Sequence, residues 1–210
     1  MFNSKKLNLG MAALVASTLM VGCGTTETPE SNTPATEQST TTTVAAGQLS
    51  AVHDAVKTAL GEDYLPNTLN EDAELIKGLY GLDVTLAESF IVETPMIGMN
   101  PDIFIGVEAK EGQADAVETA LNGYKEQLLN DTMQYPMNLP KIAAVDVLRV
   151  DNYVFLVLMG YHGDVPAQSE VADEYAITPE EEAKINEQVT EASKELTQKA
   201  FTAIKETLAN

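Results

Sequence analysis

The 210-residue chain has no tryptophan, one cysteine, two histidines and few cations, and each shortage closes off a class of function. The lone cysteine, Cys23, allows neither an internal disulfide nor a thiolate cluster. His53 and His162 stand far apart, with no partner at ligand spacing, so the sequence predicts no zinc site and no resident cofactor. Aromatic residues make up 6% of the chain, which gives little basis for a stacking platform for bases or sugars. Lys and Arg number 12 against 32 Asp and Glu, a formal net charge of −20. So acidic a chain lacks the cations that neutralise phosphates, which argues against nucleic acid as a partner. It argues equally against an electrostatic grip on anionic lipid head groups. No phosphate loop, dinucleotide fingerprint, Gly-x-Ser-x-Gly elbow or Asp-x-Asp-x-Asp-Gly calcium loop is present.

The N-terminal segment carries the most specific signal. Lys5 and Lys6 form a short positive start, and Leu7 to Val21 is apolar but short for a membrane span. The run ends in Met20-Val21-Gly22-Cys23, which resembles the lipobox of bacterial lipoproteins. The resemblance implies a signal peptide over 1–22, cleavage after Gly22 and acylation of Cys23. Several acyl chains on one residue give stable attachment, so the chain is expected on the extracytoplasmic face of the bacterial cell membrane. Loss of the signal removes two lysines and no acid, which makes the remainder more acidic still. From Gly24 to Ala46 the chain is mostly Thr, Ser, Pro, Glu and Gln. That composition buries too little to offset ordering entropy and reads as a disordered tether, residues 23–46, reaching roughly 25–30 Å.

Residues 47–210 read as one α+β domain with the element order ααββαββα and a mainly antiparallel sheet of about four strands. Ser50 is placed to cap a first helix through Val52, Val56 and Leu60, ending at Gly61. Asn70 is placed to cap a second through Leu75, Ile76 and Leu79 to Gly81. Phe90–Val92 and Asp102–Ala109 read as strands, the latter with Ile103, Ile105, Val107 and Ala109 on one face. A helix follows with Val117, Leu121, Tyr124 and Leu128 in one stripe. Tyr153–Met159 is apolar at every position, the pattern of a central strand covered on both faces. Asp151-Asn152 joins it to Val145–Val150 as a hairpin. Thr178-Pro179-Glu180-Glu181 opens a last helix of roughly 45 Å, long enough that part of it could project.

A family resemblance rests on several of these stretches together. They are Leu60-Gly61-Glu62-Asp63-Tyr64-Leu65-Pro66, Thr94-Pro95-Met96, the strand Asp102–Glu108, Tyr135-Pro136 and Asp151-Asn152-Tyr153-Val154-Phe155. With the lipobox and tether, they resemble Gram-positive bacterial lipoproteins classed as domain-of-unknown-function family 4358. The resemblance implies a cell-surface lipoprotein and carries over no activity and no catalytic residue.

The remaining candidates are local. Met96-Ile-Gly-Met99 and Met133-Gln-Tyr-Pro-Met137 lie in two proline-bearing links, Thr94–Pro101 and Asn130–Pro140. Thioethers bind soft cuprous ion, which makes a copper carrier one reading. Methionine filling irregular gaps where loops meet a sheet is the weightier one. Met96, Met99, Met133, Tyr135 and Met137 are therefore the candidate binding residues, provided the two links converge at one sheet end. His53, beside Asp54, reads as a solvated helix residue. His162-Gly163-Asp164 with Ser169 holds the residue types of a hydrolase triad, but triads come from folds rather than sequence neighbourhood. An envelope hydrolase using two carboxylates is the alternative function. The leading expectation is a non-enzymatic surface lipoprotein, held to the membrane through Cys23, that binds an envelope protein or a small ligand.

Overall fold

The computed structural model describes residues 47–65, 68–96, 98–165 and 177–209. The expected signal peptide and tether, Cys23 among them, lie outside the described residues, as do Pro66, Asn67 and Ser169. Among the described residues there are five α-helices and one antiparallel sheet of five strands. The helices are α1 (Leu49–Leu60), α2 (Ala73–Tyr80), α3 (Ala114–Asn130), α4 (Leu139–Ile142) and α5 (Pro179–Leu208). The strands are β1 (Thr68–Leu69), β2 (Ala87–Thr94), β3 (Ile103–Ala109), β4 (Asp146–Val150) and β5 (Tyr153–Leu158), in the order β1-β2-β3-β5-β4. The α+β class and the antiparallel pairing agree with the sequence reading. The fifth strand is β1, two exposed residues paired with Thr94 and Glu93.

β5 is covered on both faces as its composition requires, but the middle position belongs to β3. Its hairpin partner β4 forms the edge, and Asp151 makes the turn at φ +53°. Val154, Leu156 and Leu158 face a core built with Ile76 and Tyr80 of α2 and Val117 and Leu121 of α3. Phe155, Val157 and Met159 face a second core with Val52 and Val56 of α1 and Ala200, Phe201 and Ile204 of α5. Helices thus flank both faces of the sheet. Each fully buried aliphatic or aromatic side chain contributes about 1.5–3 kcal/mol relative to exposure. Gly106, opposite Phe155, lets α1 come close: a β-carbon there would stand 2.9 Å from Leu49 Cδ1.

Helix starts differ from the expected ones for local reasons. α1 begins at Leu49 rather than after Ser50, because Leu49 is wholly buried against the sheet and draws the helix back two residues. Asp72 caps α2, its Oδ1 accepting from Leu75 N at 2.9 Å. Asn70 instead extends the β1 pairing, through Val92 O and the Thr94 hydroxyl. Ile76 and Tyr80, not Leu75 and Leu79, are the buried positions of that helix. Thr178 and Glu181 form the expected capping box of α5. Between Ser193 and Ile204 that helix buries one face, while its first turns are exposed.

Candidate functional site

The C-terminal ends of β2 and β5 and the start of β3 lie at one end of the antiparallel sheet. There the links singled out in the sequence converge on a cleft of about 540 Å³. Pro95, Met96, Met99, Asn100 and Pro101 come from the first link, Met137 and Asn138 from the second. Asn138 ties the two, its Nδ2 donating to Met99 O at 2.8 Å. Leu65, Lys141 and His162 complete the lining. Met96, Met99 and Met137 are 85%, 50% and 64% exposed, whereas Met159 is buried. Thioethers left in water at one place resemble an adaptable binding surface more than core gap-filling. Met133 and Tyr135 are exposed but stand outside the cleft lining.

A polar chain forms the other wall. Asp102 is buried at the foot of β3, and its Oδ1 accepts from Gly160 N at 2.8 Å. Its Oδ2 lies 3.1 Å from His162 Nε2, and His162 Nδ1 lies 2.9 Å from Lys141 Nζ. An ammonium only donates, so the network assigns the proton to Nε2 and makes Nδ1 the acceptor. Burial lowers the Lys141 pKa, with the Asp102 charge opposing that effect. Gly160 is required sterically: a β-carbon would sit 2.8 Å from Asp102 Oδ1 and 2.9 Å from Lys141 Cδ.

Behind the cleft lies a second buried network. Glu93 Oε2, facing α1 from β2, is 2.5 Å from His53 Nε2 and 2.5 Å from the Tyr64 hydroxyl that donates to it. His53 Nε2 and the Tyr64 oxygen are 2.9 Å apart. Burial pushes the Glu93 carboxyl up, but the hydrogen bonds from His53 and Tyr64 outweigh it and leave the pKa lowered. Burial first, and then the Glu93 carboxylate, push the Tyr64 phenol far up, so it stays protonated and donates. His53 is therefore not solvated: it sits against the Phe104 ring, 4.9 Å between centroids. The network anchors Tyr64 and the end of β2, from which Leu65 and Pro95 reach the cleft.

His162 takes Asp102, sixty residues back in the chain, as its partner. Asp164 contributes a backbone carbonyl to the Tyr161 hydroxyl, and Ser169 is outside the described residues. Among the described residues, the carboxyl groups with displaced ionisation, Asp83, Glu93 and Glu181, are lowered. A glycosidase general acid needs the opposite displacement. Among the described residues no group of three or more His, Cys, Asp and Glu is arranged to hold a metal ion.

Residues 62–159 match the family described as Domain of unknown function (DUF4358). The family resemblance read from the sequence holds over those residues. The DUF4358 segment contains the whole sheet, both links, Asp102 and Lys141, while α1, α5 and His162 lie outside it. No curated protein and no solved structure matches this chain. Asp102, Asn138 and Lys141 were not singled out as site residues in the sequence, where His162 figured only among the residue types of a triad, and only the convergence of the two links pointed toward them.

Proposed function

We propose that this chain is a lipid-anchored envelope protein whose DUF4358 domain binds a small amphipathic molecule and catalyses no reaction. The Met20-Val21-Gly22-Cys23 motif supports the anchor, with acylated Cys23 fixing the domain to the extracytoplasmic face of the membrane. The observation that carries the binding role is the cleft itself. Three exposed thioethers line one wall and a fixed histidine–lysine pair lines another. An apolar cavity with a few convergent polar groups is the usual form of a small-molecule site, and about 540 Å³ falls within the usual range of about 300–1,000 Å³. Both His162 ring nitrogens are engaged, which leaves thioethers alone to coordinate a metal and favours apolar packing over copper carriage.

Native mass spectrometry of the full chain extracted from its membrane in mild detergent tests both parts. Cys23 should be the N-terminal residue and carry acyl chains. A small bound mass should be present, and lost in the Met96→Ser/Met137→Ser variant. An unmodified thiol with residues 1–22 retained contradicts the anchor. Identical small-molecule content in both proteins contradicts binding at the cleft.

A further inference from the structure

We infer that the cleft takes a carboxylate on an apolar body, with the carboxylate on Lys141 and the body on Met96, Met99 and Met137. The inference rests on the cleft being the binding site and names the ligand's chemical class. Among the described residues, Lys141 is the only lysine or arginine in the lining. Its ammonium has three protons and His162 accepts one, so donors remain for a ligand. The two oxygens of Asp102 accept from Gly160 N and His162 Nε2, while Lys141 Nζ meets His162 Nδ1. The carboxylate orients His162, and His162 holds the lysine nitrogen at the cleft wall; both act as positioning residues. Gly160 serves the same arrangement by leaving room for the Lys141 stem.

An apolar body on the methionines would displace water from the ammonium. A charged oxygen replaces that water, and a hydroxyl or primary amide replaces it poorly. The −20 charge of the chain is no barrier, because exposed acids are screened beyond roughly 8 Å at physiological ionic strength. Two sources offer this chemistry, a free alkyl carboxylate and the C-terminus of an apolar peptide.

The test uses the full chain and isothermal titration with decanoate, decanol, trileucine and trileucine amide. At least one carboxylate should bind tenfold or more tighter than its uncharged counterpart, and whichever does so identifies the source. Lys141→Met should bring that ratio below about twofold. His162→Ala should weaken the carboxylate threefold or more and leave decanol unchanged, a selectivity that general loosening of the fold does not produce. Should Lys141→Met fail to fold, Lys141→Gln serves in its place. Equal binding of charged and uncharged probes overturns the ligand class and leaves the cleft reading intact. Binding of none of the four overturns both.

Discussion

Glu93→Ala is expected to destabilise the domain by about 3–5 kcal/mol, the usual cost of removing one partner of a buried charged network. Glu93 is 4% exposed and receives hydrogen bonds from both His53 and Tyr64. Truncation leaves two buried polar groups with their shared acceptor gone, and Lys57, 3.9 Å away on the other oxygen, loses its counter-charge. For a domain of this size the melting temperature should fall by roughly 6–20 °C. Glu93→Gln keeps an acceptor and should cost less. The charge also sets a pH dependence. The folded pKa of Glu93 lies below the ordinary value of about 4.5, so the unfolded chain takes up the proton first. The stabilisation is therefore fully present above that value and drains away as the pH falls through the lower, folded value. Urea midpoints from pH 7 down to 3 should show this loss in the wild type and a shallower acid limb in Glu93→Gln. Parallel acid limbs contradict the assignment.

Phe155→Ala is expected to cost about 3–5 kcal/mol by a different route, the loss of buried surface together with the cavity left behind. Phe155 is fully buried on β5 opposite Gly106, with the Phe104 ring 6.2 Å away and Tyr153 stacked at 6.4 Å. Because Gly106 has no side chain, Leu49, Phe104 and Phe155 share one space between α1 and the sheet. Met96→Ala is the contrast, with a change within about 0.5 kcal/mol, since its side chain is 85% exposed. Denaturant unfolding of the two variants separates residues that hold the fold from residues that line the cleft. A large loss for Met96→Ala would place that methionine among the former.

The parts of this fold readable in the sequence are those with a local cause. Tyr153–Met159 announces a doubly covered strand by its unbroken apolarity, Asp151-Asn152 announces its turn, and Thr178-Pro179 with Glu181 announces the start of α5. β1 is unreadable because it is two residues long and joins the sheet by backbone pairing, with both side chains exposed. α4 hides in a proline-bearing link, since Pro140 sits in the first turn, where its missing N–H costs nothing. His53 misleads because histidine beside aspartate looks solvated. Its position was nonetheless legible, because it lies four residues after Leu49 and three before Val56 on the buried stripe. The cleft divides the same way. Methionines crowded into two irregular links are visible in the sequence, whereas the pairing of Asp102 with His162 and of His162 with Lys141 exists only once the sheet end has formed.

Beyond residue 22 the chain has five methionines, each an isolated probe, so methyl-labelled methionine NMR of the full chain reports directly on where a ligand sits. On titration with a bound amphiphile, the Met96, Met99 and Met137 methyl resonances should move together along one saturating curve while buried Met159 stays in place. A ligand that binds and moves Met159, or leaves the three cleft methyls unmoved, would contradict the assignment of the cleft as the binding site.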